Sequence, residues 1–457
     1  MNLNQIHSVY FIGIGGIGMS ALARWFKHNG KRVSGYDKTE TALTRQLMSE
    51  GIDIHFEDCI EHVSEKIKST KEQVLIIYTP AIPSGHTELN WFRANGYHVT
   101  KRAEVLGWIT QQMTSLAVAG THGKTTTSSM LVHLLKSCGM DCAGFLGGIA
   151  TNYNTNMVLN QTANAFAVIE ADEYDRSFLN LHPNMAVVTS ADADHLDIYA
   201  DAENLKDSFR TFIEQIEANG TLVIKETLQK DLVHRRDLQF KTYGLDRGEI
   251  RAKSLRIEGA SFVFDYKDGE REIVGLKLQV PGYHNVENML AAIALTKTLG
   301  ADDDQIKAAV ASYKGVKRRF EYIVKSESCI FIDDYAHHPV EIAATLKSAA
   351  ALYPKHKMTV VFQPHLYTRT RDFVDEFAQS LSLADEVLLL PIYPAREAPI
   401  PGVSSEILLD KMTAHKKSLV AKSELLATLK EKQPELLITL GAGDIDQFVE
   451  PIKNAFL

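Results

Sequence analysis

Cysteine is scarce in this chain of 457 residues: Cys59, Cys138, Cys142 and Cys329 are the whole complement. They form no CxxC pair and no histidine-spaced zinc pattern, so a disulfide scaffold and a zinc module are both excluded in favour of free thiols in a reducing compartment. No run approaches the ~18 uninterrupted apolar residues of a membrane span. The apolar start SVYFIGIG lacks a basic stretch before it and runs into a glycine turn, which predicts a first strand rather than a signal peptide. Long basic runs are absent too. Lys+Arg 49 against Asp+Glu 57 leaves a net charge of −8, which argues against nucleic acid as a partner, since phosphate backbones need clustered cations. Nothing repeats, and no segment is of low complexity. The expectation is a cytoplasmic protein with small-molecule partners, a monomer or weak homodimer, touching neither nucleic acid nor membrane.

What is present is a recurring unit: a short, β-rich apolar run ending in glycine or polar residues, followed by helical spacing. SVYFIGIG, RVSGYD, VLIIYT, SLAVAGT, AFAVIEAD, MAVVTSAD, CIFIDDYA, MTVVFQPH, EVLLLPI and ELLITLGAG all fit. Runs apolar throughout, rather than alternating, belong to parallel strands buried on both faces. The fold class is α/β. Three domains are expected: 1–108 and 317–457, both Rossmann-like, and 109–316, a P-loop domain. The last carries an antiparallel addition where IRAKSLRIEGASFVFDYKDGEREIVGLKLQV alternates and turns at Lys267-Asp268-Gly269.

Two segments have the form of phosphate cradles. Gly120-Thr121-His122-Gly123-Lys124-Thr125-Thr126-Thr127 follows a strand and opens a helix. In that setting backbone N–H groups and the helix N-terminus hold phosphate, Lys124 bridges the β- and γ-phosphates of ATP, and the Thr125 hydroxyl holds Mg²⁺. The spacing departs from GxxxxGK[ST], because Gly120 lies three positions before Gly123. The next strands end in Glu170, Asp172, Glu173 and Asp175, and then in Asp192, Asp194, His195 and Asp197. Carboxylates at that edge of an open sheet suit a second metal position, Mg²⁺ or Mn²⁺. The other cradle, Gly13-Ile14-Gly15-Gly16-Ile17-Gly18 with Asp37 after the following strand, matches the dinucleotide fingerprint. By itself it favours a nicotinamide oxidoreductase. Beside a P-loop, it suits a second ligand carrying its own diphosphate. In the third domain, strands release Asp333, Asp334, Tyr335, His337 and His338, then His365, Tyr367, Arg369 and Arg371, then Tyr393, Arg396 and Glu397. That cationic rim suits an anionic substrate.

GIGGIGMSALA, GTHGKTTT, EADEYDRSFL, ADADHLDIY, GYHNVENMLAA, KGVKRRFE, DDYAHHPVEI and FQPHLYTRTRDF, in this order, resemble the Mur ligases of peptidoglycan synthesis. The resemblance implies an ATP-dependent ligase joining L-alanine to the lactyl carboxylate of UDP-N-acetylmuramate through an acyl phosphate. It places the sugar nucleotide's diphosphate on Gly15, Gly16, Ile17 and Gly18 with Asp37 nearby. ATP and Mg²⁺ fall to Lys124, Thr125, Glu170 and His195, and the nucleotide to Asn285 and Asn288. Arg319 and Asp334 reach ATP from the third domain upon closure. Tyr335, His337 and Arg369 meet the incoming alanine, with His337 as acceptor of the amine proton. Two departures stand out: Leu366 replaces the usual basic residue after His365, and no lysine aligns with the carbamylated lysine of some relatives, Lys206 being only nearby. The competing readings are a sister ligase that takes a tripeptide, the nicotinamide oxidoreductase, and a nucleotide-dependent binding module without catalysis.

Overall fold

The computed structural model describes residues 3–192, 199, 201–395 and 397–456. Its strands form three sheets. In the first, β1 (Ser8–Ile12), β2 (Arg32–Tyr36), β3 (Asp53–His55), β4 (Val74–Tyr78) and β5 (His98–Lys101) lie in the order β3-β2-β1-β4-β5, all parallel. Every residue of β1 is buried, as expected for a strand with helices on both faces. The chain order reverses beside β1, and the glycine turn follows that strand, at the switch point where open sheets bind ligands.

The second sheet comprises β6 (Ser115–Ala119), β7 (Cys142–Ala150), β8 (Thr155–Val158), β9 (Phe166–Ala171), β10 (Met185–Val188), β11 (Thr221–Lys225), β12 (Gln239–Gly244), β13 (Ile250–Glu258), β14 (Ser261–Asp268) and β15 (Arg271–Leu278). Their order is β15-β14-β13-β12-β11-β10-β6-β9-β7-β8. β9 and β10 therefore flank the P-loop strand β6 on either side, in parallel. β8 runs antiparallel to β7, and Gly269 at φ +58° begins the two-residue turn from β14 to β15. The third sheet, β16 (Glu321–Lys325), β17 (Ile330–Asp334), β18 (Met358–Phe362), β19 (Glu386–Leu389), β20 (Lys416–Leu419) and β21 (Leu436–Leu440), has the order β16-β17-β21-β18-β19-β20. It is parallel except for β16.

Contacts group the chain into two units. One holds residues 1–253, 266–274 and 287–312; the other holds 254–265, 275–286 and 313–457. Within the first, the helix Ile17–His28 is tied to β8 and to the end of the helix Ala42–Ser49. Arg24 donates to Asn156 and to Glu50, the latter at 2.8–3.0 Å. Asn156 in turn donates to Ser20 Oγ at 2.9 Å. One continuous apolar core runs from Phe11 and Phe26 to Phe145, Phe178 and Phe212.

The first sheet also buries a carboxylate. Glu88, fully enclosed, accepts from Tyr10 Oη at 2.6 Å and from the Cys59 amide at 3.1 Å. Burial pushes its carboxyl up to about 7 against the opposing pull of those donors. The folded state therefore binds more protons than the unfolded chain between the ordinary carboxylate range and pH 7, and stability falls as pH rises through that window. Glu88→Gln imitates the protonated acid, with one accepting oxygen and one donating group and no charge. Measured by urea unfolding, the variant is expected to match the wild type near pH 4 and exceed it by on the order of 2 kcal/mol at pH 8. Equal pH slopes in the two proteins would show that Glu88 ionises as freely in the fold as outside it.

Candidate active site

The P-loop is built from the ends of three neighbouring strands. β6 stops at Ala119, and the turn beyond it passes through Gly120 at φ +142° and Gly123 at φ +83°. A side chain at 123 would stand 2.8 Å from Asn288 Oδ1, so this position needs glycine for its backbone and for its space. The end of β10 clasps the loop: the Thr121 amide donates to Ser190 O at 3.2 Å, the His122 amide to Ser190 Oγ at 2.7 Å, and the Asp192 amide to Thr121 Oγ1 at 3.1 Å. The helix Lys124–Ser137 then starts at Gly123 without a side-chain cap. A helix start leaves its first N–H groups without intrahelical acceptors and carries partial positive charge, both favourable to phosphate.

Lys124 does not extend into solvent. Its ammonium donates to Gly120 O at 2.7 Å and to Glu173 at 2.7 and 2.9 Å. Burial favours the neutral amine, but Glu173 and the neighbouring carboxylates outweigh it and raise the lysine's pKa. Burial drives Glu173 up to about 7 even with the lysine beside it. One residue along the helix, Thr125 Oγ1 donates to Glu170 Oε1 at 2.8 Å, and Glu170 Oε2 accepts from the Gly147 amide at 2.7 Å. A hydroxyl and a carboxylate in contact are hard oxygen donors of the kind Mg²⁺ takes. The third expected ligand, His195, lies outside the described residues, and among the described residues no cluster of three His, Cys, Asp or Glu side chains has metal-binding form. Lys206 pairs with Asp231 at 2.6 Å on the surface.

At the glycine-rich turn, Asp37 serves the protein's own backbone. Its carboxylate accepts from the Gly15 amide at 2.7 Å and from the Thr39 amide at 3.1 Å, while the Gly16 amide donates to Gly13 O at 3.3 Å. Ile17 and Gly18 open the helix. A methyl group on Gly18 would collide with the Arg102 guanidinium, whose Nη2 lies 3.5 Å from Asp172. Arg102 thus spans from the glycine turn to the acidic segment after β9. No motif in the sequence singles it out.

The second unit gathers another cluster at the ends of β17 and β18. Arg318 at φ +59° and Phe320 at φ +51° make an irregular turn held by Asp334. That carboxylate accepts from the Phe320 amide at 2.9 Å, the Ala336 amide at 2.8 Å and Thr345 Oγ1 at 3.0 Å. Burial raises its pKa to about 6 against these donors and Arg319. Asp334 therefore braces the turn 318–320, on which Arg319 sits. Arg318 and Arg319 both lie 5.2 Å from the centre of the Tyr335 ring. Arg319 Nη1 is 3.7 Å from Glu341. His337 Nδ1 donates to Tyr335 O at 3.0 Å with Glu341 3.4 Å away, which leaves the lone pair on Nε2. Burial, Arg369 and Arg319 outweigh the pull of Glu341 and lower this imidazole's pKa to about 4. Asn285 is buried and donates to Pro281 O at 2.6 Å, whereas Asn288 belongs to the P-loop's surroundings.

The structure thus assembles Gly120–Thr126, Glu170 and Asn288 in one place and Arg319, Asp334, Tyr335, His337 and Arg369 in another. Three participants take roles that the sequence did not give them, Glu173 having been grouped only with the metal-site carboxylates. Glu173 pairs with Lys124, Ser190 clasps the loop, and Glu341 faces both His337 and Arg319. Glu341 had a usable signal, lying four residues after His337 at a helix start.

A phosphate loop between two acid-tipped strands, followed by a separate sheet ending in arginine and histidine, is the layout of an ATP-dependent ligase. Family models agree along the chain: the Mur ligase family catalytic domain matches residues 8–114, the Mur ligase middle domain 118–296, and the Mur ligase glutamate ligase domain 318–444. The chain belongs to the Mur ligase family. It is 50% identical over 457 residues to a UDP-N-acetylmuramate–L-alanine ligase of Flavobacterium johnsoniae, covering 99% of each chain. It is 47% identical to the protein of that name from Cytophaga hutchinsonii, over 99% of this chain and 97% of the other. Among solved structures it resembles the UDP-N-acetylmuramate–alanine ligase of Thermotoga maritima, with a TM-score of 0.82 at 28% identity over 98% of this chain and 99% of that one.

Proposed function

We propose that this chain is an ATP-dependent ligase joining L-alanine to the lactyl carboxylate of UDP-N-acetylmuramate during peptidoglycan-precursor synthesis. The observation that carries this reading is the 47–50% identity to alanine ligases along nearly the whole chain. We assign the sugar nucleotide to residues 1–108, ATP to 109–316, and the amino acid to 317–457. We infer that the reaction takes place in the cytoplasm; no helix among the described residues is long and apolar enough to cross a membrane.

A carboxylate resists attack by an amine because oxide is a poor leaving group. Transfer of the γ-phosphoryl group of ATP converts it to an acyl phosphate, and the alanine amine then displaces phosphate through a tetrahedral intermediate. Two anions meet in the first step, so cations decide its rate. Lys124 exchanges Glu173 and Gly120 O for the β- and γ-phosphates, and Arg319 adds charge from the third domain. Mg²⁺ on Thr125 and Glu170, with His195 as a further ligand, would supply charge neutralisation on the phosphates. Arg369 meets the alanine carboxylate, and His337 Nε2 takes the proton that the amine nitrogen sheds once it has bonded to carbon, where it is far more acidic than in the free ammonium.

With His337 held neutral down to about pH 4, the rate is expected to lack a histidine limb between pH 5.5 and 8, although an ordinary imidazole would give one near 6.5. An acid limb at 6.5 that disappears in His337→Gln would place the resting imidazole at its ordinary pKa. Phosphate release measured with ATP, UDP-N-acetylmuramate and a panel of amino acids tests the whole reading. Strict dependence on the muramyl compound and preference for alanine are expected. Preference for the tripeptide over alanine would transfer the chain to the sister ligases, and release independent of either acceptor would reject ligation.

A further inference from the structure

The helix Tyr367–Asp372, which carries Arg369, is only six residues long and has no side-chain cap of its own. Its N-cap residue, Leu366, has φ +71° and ψ 137°, a backbone state that a γ-branched side chain does not favour. A segment so short and so begun does not hold its own position. Its support comes from a strap 25 residues or so downstream, Tyr393 and Glu397. Leu366 N donates to Tyr393 O at 3.0 Å, and Tyr393 N donates to Pro364 O at 2.8 Å. The Tyr393 and His365 rings stack at 5.8 Å and 18°, and His365 in turn lies 6.0 Å from the His337 ring. The last tie is made by a side chain. The carboxylate of Glu397 accepts from the Thr368 amide at 3.0 Å and from Thr368 Oγ1 at 2.5 Å. One acidic group thus caps the helix from outside its own sequence, where a helix start welcomes negative charge.

Apolar packing does not duplicate this tie. Tyr367 on the helix and Ile392 and Pro399 beside the strap line a cavity of about 430 Å³, so that side of the junction is open rather than filled. With a groove on that side, the polar bonds to the strap hold this end of the helix.

We infer that Glu397 is a positioning residue for the amino-acid substrate: by anchoring Thr368 it sets the helix turn that presents Arg369 beside His337. This rests on the proposed alanine-ligase activity. It concerns affinity for one substrate of three, because neither the P-loop nor the glycine turn is part of the strap.

The test is steady-state kinetics of phosphate release by the full chain, with each substrate varied in turn, for the wild type, Glu397→Ala, Glu397→Gln, Thr368→Ala and the double variant. Glu397→Ala is expected to raise KM for alanine about tenfold or more and to leave KM for ATP and UDP-N-acetylmuramate within about twofold. Glu397→Gln keeps an acceptor for the Thr368 amide, and the threonine hydroxyl can rotate to accept from the new amide, so near-wild-type KM is expected. Thr368→Ala falls between. Adding it to Glu397→Ala costs nothing more, since both remove one interaction. A fall in kcat with KM for alanine unchanged, or equal rises in all three KM values, would overturn the inference by showing a general structural role. Should Glu397→Ala fail to fold, the ratio of alanine KM values for Thr368→Ala and Glu397→Gln decides: above about threefold supports positioning, and unity overturns it. Absence of alanine-dependent release in the wild type defeats the activity and the inference together. Its presence with an unaltered Glu397→Ala defeats the inference alone.

Discussion

Lys124→Ala is expected to lower turnover by of order 10²-fold or more while leaving the fold intact. The first half follows from the chemistry, where a phosphoryl group approaches a carboxylate and the P-loop ammonium is the cation placed at the helix start. The second half follows from Glu173. Removing one partner of a buried ion pair ordinarily strands the other at high cost. Here the stranded carboxyl already sits at about 7 with its partner present, so without the lysine it takes up a proton and remains buried as a neutral acid. Thermal unfolding close to wild type combined with collapsed phosphate release is the expected pair of results. Lys124→Arg is not expected to rescue, because the planar fork of arginine does not fit a cradle shaped around a point charge. Turnover within a few-fold of wild type would remove Lys124 from phosphate handling.

Asp334→Ala is expected to act in the opposite way, through stability first. The Phe320 amide, the Ala336 amide and the Thr345 hydroxyl all donate to this carboxylate, and truncation leaves them buried without acceptors. At roughly 1 kcal/mol or more for each, the loss is of order 3–4 kcal/mol. The turn through Arg318 and Phe320, both at positive φ, then loses its brace, so Arg319 is displaced as well. Urea unfolding should show a lowered midpoint, and at temperatures where the variant remains folded the KM for ATP should rise. Asp334→Asn, which retains one oxygen, should recover part of the stability. An unchanged midpoint for Asp334→Ala would mean that the three donors find other acceptors.

The parts visible in the sequence were those whose chemistry is local. Strand β6 with Gly120, Gly123 and Lys124 is one contiguous stretch, and its glycines are needed by backbone angles that sequence spacing reveals. Apolar runs such as SVYFI and LLITL announced buried parallel strands because apolar residues dominate both faces. Edge elements were harder. β20, KKSL, is mostly exposed, and nothing in its composition separates it from a loop. Pairings between distant residues left no trace. Arg24 with Asn156, Arg102 with Asp172, and Glu397 with Thr368 depend on where the chain returns, which no spacing encodes. Asp37 shows a subtler limit. The fingerprint marks the residue rightly as belonging to the glycine turn, but here its oxygens accept from the turn's own amides.

The Arg24–Asn156 bridge has a bearing on selectivity. It fastens the helix that starts at the glycine turn to the edge of the sheet whose inner strand β6 leads into the P-loop. Under the proposed assignment of sugar nucleotide and ATP, two docking points bolted to one frame work as a calliper: the molecule held at one end must bring its reactive group within reach of the other by its own length. Discrimination among cell-wall intermediates then begins with measurement, before any side chain inspects the group to be activated.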